Sequence, residues 1–253
     1  MVPSVRLGCV RYLNARPLIH GWPGQVRFDH PSVLCKDLAA GELDVALVSS
    51  FEYLRHPIYS VIDEIAIGSD GPVYSVVLAH HGPVEKLREI VVDPASATSV
   101  NLLRCLLGER QIAAEFVSTG ELSAGRGRLL IGDQAIRFRQ QSDERCQFLD
   151  LGAAWKEQTG QPFVYALWLI RPDYIAKEEI AEALRSLGKA NLENLASVIA
   201  AQPVTERAFC EFYFSDCLRF SFGDQEKEGF QQFAELCVRQ KLLPAFPPAP
   251  RLI

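Results

Sequence analysis

The first strand of the chain ends abruptly in polar residues, and this restricts the folds that the chain can form. The apolar run Val5 to Val10 predicts a buried strand, and Tyr12 and Asn14 follow it directly. Pro17 then sets the start of a short helix from Asn14 to His20. In an open α/β sheet, ligands bind at the carboxyl ends of the strands. Asn14 therefore has two interpretations, as a ligand-binding amide or as the N-cap of the next helix.

The same succession of strand, small polar residues and helix recurs along the chain. The continuous apolar strand Asp44 to Val48 is typical of a parallel sheet covered on both faces. We expect the polar groups at the strand ends to converge on one site. They are Asn14, Ser49, Ser50, Ser75, Thr98, Ser99, Gly132 and Asp133.

Several of these residues have a structural interpretation beside the functional one. The segment Ser96 to Ser99 opens a predicted helix from Val100 to Leu107, where backbone N–H groups and the helix dipole suit a carboxylate. The alternative is an N-cap without a ligand. Asp133 either faces the ligand or caps the next turn. Arg11 and Arg16 either supply positive charge for an anion or are solvated ends of the first strand and helix.

The order of predicted elements favours two α/β lobes in place of two sequential domains. Residues 1–78 and 168–253 are predicted to form the first lobe, and residues 79–167 are predicted to be inserted as the second. The long strands Val73 to Ala79 and Phe163 to Ile170 would be the crossings. A cleft between two lobes is a usual place for a small-molecule site.

Composition and charge restrict the function classes. The chain has 253 residues, of which 48% are hydrophobic and 23% charged, and its net charge of −5 argues against a nucleic-acid or membrane partner. No signal peptide and no apolar run of about eighteen residues is visible, so we expect a cytoplasmic protein. The seven cysteines form no CxxC pair and are expected to be free buried thiols.

Motifs for cofactors and for common catalytic residues are missing from the sequence. There is no GxGxxG after a strand, no phosphate loop, no GxSxG and no HExxH, so we predict no nucleotide cofactor and no metal. The five histidines have no carboxylate or cysteine partner at a useful spacing. His80 and His81 either reach the cleft or are exposed to solvent, and neither is predicted to be catalytic.

The segment Arg6 to Leu18, with its glycine, Tyr-Leu-Asn and Pro-Leu, resembles the opening of the menaquinone-biosynthesis chorismate dehydratases. Further blocks resemble that family in the same order, and the ordered set is specific although each block is weak. These blocks are Val48 to Tyr53, Thr98 to Val100, Leu130 to Ala135, Asp150 to Trp155 and Thr159 to Trp168. Gln161 departs from the family pattern, in which a leucine is expected, and this affects packing more than chemistry.

The resemblance implies a two-lobed α/β fold of the periplasmic-binding-protein-like type II class, with the ligand cleft between the lobes. It also implies an enzyme that removes water from chorismate to give 3-[(1-carboxyvinyl)oxy]benzoate, the first step of the futalosine route to menaquinone. With the strand ends, it makes Asn14 the expected catalytic residue. The expected substrate-binding residues are Tyr12, Arg16, Ser49, Ser50, Ser75, Thr98, Ser99, Gly132 and Asp133. We expect no cofactor and a monomer or homodimer.

Three other functions remain open. A solute-binding protein of the same fold is disfavoured because no signal peptide is visible. The sister enzyme that makes 1,4-dihydroxy-6-naphthoate is expected to carry a histidine base in the middle lobe, and residues 82–172 contain no histidine. The third is a cofactor-free isomerase or lyase acting on another cyclic carboxylate. The sequence offers no convincing base, which leaves the substrate's own enolpyruvyl carboxylate as one candidate.

Overall fold

Two β-sheets organise the chain. The computed structural model describes residues 5–93 and 97–253. The strands among these residues are β1 (Leu7–Val10), β2 (Val26–Asp29), β3 (Val45–Ser49), β4 (Ser60–Ser69), β5 (Val76–His80), β6 (Glu89–Val91), β7 (Glu115–Val117), β8 (Arg126–Ile131), β9 (Gln147–Asp150), β10 (Phe163–Ile170), β11 (Arg219–Phe222) and β12 (Arg251–Leu252).

Helices cover both sheets and take up most of the last third of the chain. They are α1 (Arg16–Ile19), α2 (Pro31–Ala40), α3 (Phe51–Arg55), α4 (Ala97–Glu109), α5 (Gly132–Gln141), α6 (Leu151–Thr159), α7 (Lys177–Glu193), α8 (Leu195–Ala200), α9 (Arg207–Phe212) and α10 (Asp224–Arg239). Short 3-10 turns span Leu13–Ala15, Val84–Lys86 and Val204–Glu206, and a π-helical turn spans Tyr213–Cys217. Among the described residues, no helix combines the length and the apolar character that a membrane span needs.

The first sheet has the strand order β11-β4-β10-β3-β1-β2, and β12 pairs with β4. Strands β1, β2 and β3 are parallel, and β10 runs antiparallel between β3 and β4. Every residue of β1, β3 and β10 is buried, as the continuous apolar runs predict for strands covered on both faces. The parallel strands place their carboxyl ends at one edge of the sheet.

The second sheet has the strand order β7-β6-β8-β5-β9. Strands β6, β7 and β8 are parallel, whereas β5 is antiparallel to β8 and β9. Strand β5 lies wholly in this sheet and β10 wholly in the first. The lobe boundaries given above for residues 1–78, 79–167 and 168–253 stay a prediction.

An aromatic cluster packs α10 against the first sheet and against α6. The ring of Phe233 lies 5.0 Å from that of Phe163, 6.1 Å from that of Trp155 and 6.2 Å from that of Phe51, measured between centroids. All four side chains are buried. Because these residues come from four different elements, the cluster joins α3, α6, β10 and α10 in one core.

Replacing Phe233 by alanine removes the ring shared by these contacts. We expect Phe233→Ala to lower the free energy of unfolding by about 3–5 kcal/mol, the usual cost of the cavity that such a truncation leaves. Urea denaturation followed by circular dichroism measures the change. Phe246 is half exposed, so the control Phe246→Ala should cost under about 1 kcal/mol. Equal losses in the two variants would contradict the assigned core.

Candidate active site

A small cavity lies where the carboxyl ends of strands from the two sheets meet. Its volume is about 50 Å³, which is room for a few water molecules and well below the roughly 300 Å³ of common small-molecule pockets. The two walls are therefore closed on each other. The lining residues are Val10, Tyr12, Asn14, Pro31, Ser49, Ile67, Val76, Thr98, Ser99, Ile131, Gly132, Tyr165 and Ala166.

Three helices begin at this cavity. Pro31 is the first residue of α2, Thr98 and Ser99 lie in the first turn of α4, and Gly132 is the first residue of α5. Helix N-termini present backbone N–H groups without intrahelical partners and the positive end of the dipole. None of the described residues that line the cavity carries a formal charge. Pro31 has no N–H, the N–H of Thr98 donates to Ser49 Oγ and that of Gly132 donates to the carbonyl of Ser75. The site is therefore suited to an anion, such as a carboxylate, that is held by hydroxyl groups and by the positive ends of helix dipoles.

The Asn14 side chain is not a helix cap. The N-cap of α1 is Ala15, and no side chain caps either this helix or the preceding turn Leu13–Ala15. The interpretation of Asn14 as an N-cap is therefore wrong. Its Oδ1 is buried and has no hydrogen-bond partner among the described residues. Leaving a buried acceptor unpaired costs about 1–3 kcal/mol, so this oxygen is available to a donor on a ligand.

Hydroxyl groups join the end of β3 to the start of α4. The backbone N–H of Thr98 donates to Ser49 Oγ at 3.1 Å, and the two hydroxyl oxygens lie 2.5 Å apart. The N–H of Phe51 donates to Thr98 Oγ1 at 3.0 Å. Ser50 is fully buried behind this pair and donates to the carbonyl of Val164 at 2.7 Å. Ser49 and Thr98 therefore face the cavity, and Ser50 supports them.

A second contact between the two walls of the cavity joins the ring of Tyr12 to Gly132 at the start of α5. The φ angle of Gly132 is +54°, and a Cβ at this position would lie 2.8 Å from the Tyr12 ring, so only glycine fits. Next to it, the N–H of Leu13 donates to Asp133 Oδ1 at 2.9 Å. The N-cap of α5 is Ile131, with no side-chain cap. The Asp133 carboxylate therefore bridges the two sheets and does not cap its own helix.

Two other residues that the sequence predicts for the site lie outside the cavity. Ser75 is fully buried, and its Oγ accepts a hydrogen bond of 2.6 Å from the hydroxyl of Tyr213. The Arg16 guanidinium lies 5.3 Å from the centre of the Phe28 ring. Ser96, the start of the predicted helix cap, lies outside the described residues. The functional roles of all these residues stay predictions.

The structure brings together a group that the sequence did not reveal. The hydroxyl of Tyr12 lies 2.9 Å from His30 Nε2, and the same nitrogen lies 3.6 Å from Asp93 Oδ2. Burial raises the pKa of Tyr12 to about 12. Sequence spacing gives His30 no carboxylate partner because Asp93 is distant in sequence. His80 is buried and bound through Nδ1 to the carbonyl of Gly82, so it neither lines the cavity nor is exposed.

Comparisons with known proteins identify the family of this chain. A family model described as menaquinone biosynthesis matches residues 5–239. The chain belongs to this menaquinone-biosynthesis family. It is 32% identical to the chorismate dehydratase of Thermus thermophilus over 90% of this chain and 93% of the relative. It is 26% identical to the chorismate dehydratase of Campylobacter jejuni over 89% of this chain and 90% of the relative.

Solved structures show the fold of this family member. A protein from Archaeoglobus fulgidus matches 94% of this chain and 98% of its own with a TM-score of 0.72 at 17% identity. The alkanesulfonate-binding protein SsuA from Xanthomonas axonopodis matches 98% of this chain and 97% of its own with a TM-score of 0.67 at 13% identity. The prediction of a periplasmic-binding-protein-like α/β fold is confirmed.

Removing the hydroxyl of Thr98 tests how much its hydrogen bonds contribute to the stability of the protein. We expect Thr98→Val to lower the free energy of unfolding by about 1–3 kcal/mol, because the buried N–H of Phe51 then loses its acceptor. Thr98→Ser keeps the hydroxyl and should cost less than half as much. Urea denaturation of the two variants measures the difference. Equal losses would mean that the methyl group of Thr98, and not its hydroxyl, holds the contact.

Proposed function

We propose that this protein is a chorismate dehydratase, which converts chorismate to 3-[(1-carboxyvinyl)oxy]benzoate and water. The observation that carries the proposal is the 32% identity to a chorismate dehydratase over nine-tenths of both chains. The cavity supports it, because chorismate has two carboxylates and three helix N-termini meet hydroxyl groups there. We further propose that the protein acts in the cytoplasm at the start of the futalosine route, in line with the family's role in menaquinone biosynthesis.

The reaction breaks the C3–H and C4–O bonds of the cyclohexadiene ring. The electron pair of the C3–H bond becomes part of the aromatic ring, and the C4 hydroxyl leaves as water by taking up one proton, which balances the proton lost from C3. No net oxidation or reduction occurs. We therefore propose that the enzyme works without a redox cofactor.

Negative charge develops on the ring carboxylate as the C3 proton leaves, because the two are conjugated. We assign the stabilisation of this charge to the hydroxyl groups of Thr98 and Ser99 and to the positive end of the α4 dipole, which are fixed before the reaction begins. Ser49 and Gly132 complete the wall that holds the carboxylate. Ser75 does not line the cavity and its hydroxyl accepts a hydrogen bond from Tyr213, so we assign it no direct contact with the ring carboxylate.

Asn14 is the proposed catalytic residue. Its unpaired Oδ1 can accept the hydrogen of the C4 hydroxyl and orient this leaving group. None of the described residues that line the cavity is a lysine, histidine, aspartate or glutamate. We therefore propose that the enolpyruvyl carboxylate of chorismate, held close to C3 within the same molecule, removes the proton.

Substrate entry requires the two walls to separate, because the closed cavity is far smaller than a ring with two carboxylates. The contacts that must break are those of Ser49 with Thr98 and of Leu13 with Asp133. Each joins the end of a strand of the first sheet, or the turn after it, to a helix that follows a strand of the second sheet. Closure after binding then excludes water from the reacting carbons.

The assay is incubation of the purified protein with chorismate, with separation by chromatography and detection by ultraviolet absorbance. We expect chorismate to disappear and 3-[(1-carboxyvinyl)oxy]benzoate to appear in equal amounts. Bound but unchanged chorismate would instead indicate a solute-binding protein. Loss of chorismate to a different product would indicate another lyase or an isomerase, and either result would overturn the proposal.

Replacing Asn14 tests its catalytic role. We expect Asn14→Ala and Asn14→Asp each to lower kcat by about 100-fold or more, as for other groups that stabilise a transition state. Because Oδ1 has no partner among the described residues, Asn14→Ala should leave the Tm unchanged or raise it. The control Asn194→Ala changes an exposed amide and should keep the wild-type rate. Near-normal rates in both Asn14 variants would remove this residue from the mechanism.

A further inference from the structure

His30 lies at the contact between the two sheets, next to the proposed site. It is the N-cap residue of α2 and directly follows β2, and its side chain is 18% exposed. Its Nε2 lies 2.9 Å from the Tyr12 hydroxyl on the first sheet and 3.6 Å from a carboxylate oxygen of Asp93, which follows β6 in the second sheet. The Nε2 atom of His30 is therefore close both to Tyr12, which lines the cavity, and to Asp93, which lies on the side of the second sheet.

Both contacts go to the same nitrogen, and this excludes a charge relay through the ring. In a relay, one ring nitrogen binds the carboxylate while the other exchanges a proton. Here Nδ1 of His30 is buried and has no hydrogen-bond partner among the described residues. Tyr12 and Asp93 both lie near Nε2. This nitrogen therefore either accepts the hydrogen of the Tyr12 hydroxyl or donates a hydrogen of its own.

The position of the ring hydrogen decides where the Tyr12 hydroxyl points. If Nε2 carries no hydrogen, it accepts the phenol hydrogen and turns it away from the cavity. If Nε2 carries a hydrogen, it donates to the phenol oxygen, and the phenol hydrogen is free for a ligand. The Asp93 carboxylate, 3.6 Å from Nε2, acts on this hydrogen through its charge. A carboxylate next to a ring nitrogen favours the hydrogen on that nitrogen.

The other charged groups near His30 and Tyr12 do not decide whether Nε2 of His30 carries the hydrogen, whereas Asp93 does. Asp29 accepts a hydrogen bond from the backbone N–H of His30 at 2.7 Å, so it fixes the main chain and not the ring. Arg11 and Asp133 lie near Tyr12 and act on its pKa in opposite directions. Burial is the larger effect and raises the pKa of Tyr12 to about 12, so the phenol keeps its proton near neutral pH.

Building on the proposed function, we propose that His30 is a positioning residue that directs the Tyr12 hydroxyl hydrogen toward bound chorismate. Asp93 keeps the required hydrogen on His30 Nε2. Because Asp93 follows a strand of the second sheet, this orientation is complete only when the two walls are closed. The closing of the two walls therefore also orients the Tyr12 hydroxyl as a hydrogen-bond donor to the substrate.

A double-mutant cycle tests the proposal. We expect Tyr12→Phe and His30→Leu each to lower kcat by about tenfold, the value of one well-oriented hydrogen bond. If His30 acts through Tyr12, the double variant should be no slower than Tyr12→Phe alone. His30→Gln can place an amide N–H near the position of Nε2 and should recover most of the lost rate. If the double variant has a kcat about 100-fold below the wild type, which is the product of the two single effects, the proposal is overturned.

Two further measurements separate this inference from the proposed function. Nitrogen-15 NMR of the wild-type protein should show His30 with its hydrogen on Nε2, and a hydrogen on Nδ1 alone would overturn the proposal whatever the activity. His56 is exposed, so the control His56→Gln should keep kcat. If the wild type does not consume chorismate, the proposed function fails. If it does and the cycle is multiplicative, only the role of His30 fails.

Discussion

The hydrogen bonds between Ser49 and Thr98 hold the two sheets at the distance on which the cavity depends. They lie at the carboxyl end of β3 and at the start of α4, so a strand of one sheet meets a helix of the other. The contacts of Tyr12 with Gly132 and of Leu13 with Asp133 likewise join residues that follow a strand of the first sheet to the start of a helix of the second. Each contact is weak by itself, and together they enclose a neutral site that a ligand can enter only by breaking them.

Much of this arrangement could be predicted from the sequence. Continuous apolar strands predict buried parallel sheets, and polar residues directly after such strands must meet at one edge. That rule brings together Asn14 and Ser49 at the first sheet and Thr98 and Gly132 at the second, and the predicted cleft between two lobes places the two pairs opposite each other. It works because the carboxyl end of a parallel strand has a fixed place in the sheet, whatever the rest of the chain does.

The remaining features depend on packing that no local pattern contains. Ser75 lies directly before β5 and not after a strand, and its hydroxyl is bound to Tyr213, which comes from a distant helical segment. The sequence pattern does not identify His30 because its partners lie after β1 and after β6, although His30 follows the carboxyl end of β2 and precedes Pro31 at the start of α2. Its position after a third parallel strand is the signal that could have identified it.

The route of the chain through the two sheets has a consequence for folding. All strands of the second sheet come from one continuous stretch, Val76 to Asp150, so this sheet can form as soon as that stretch has been synthesised. The first sheet needs β10 between β3 and β4, and β12 beside β4. Contacts of such long sequence separation form slowly. Until β10 is made, β4 has no strand partner and β3 is paired only with β1, so both present unpaired edges that can aggregate.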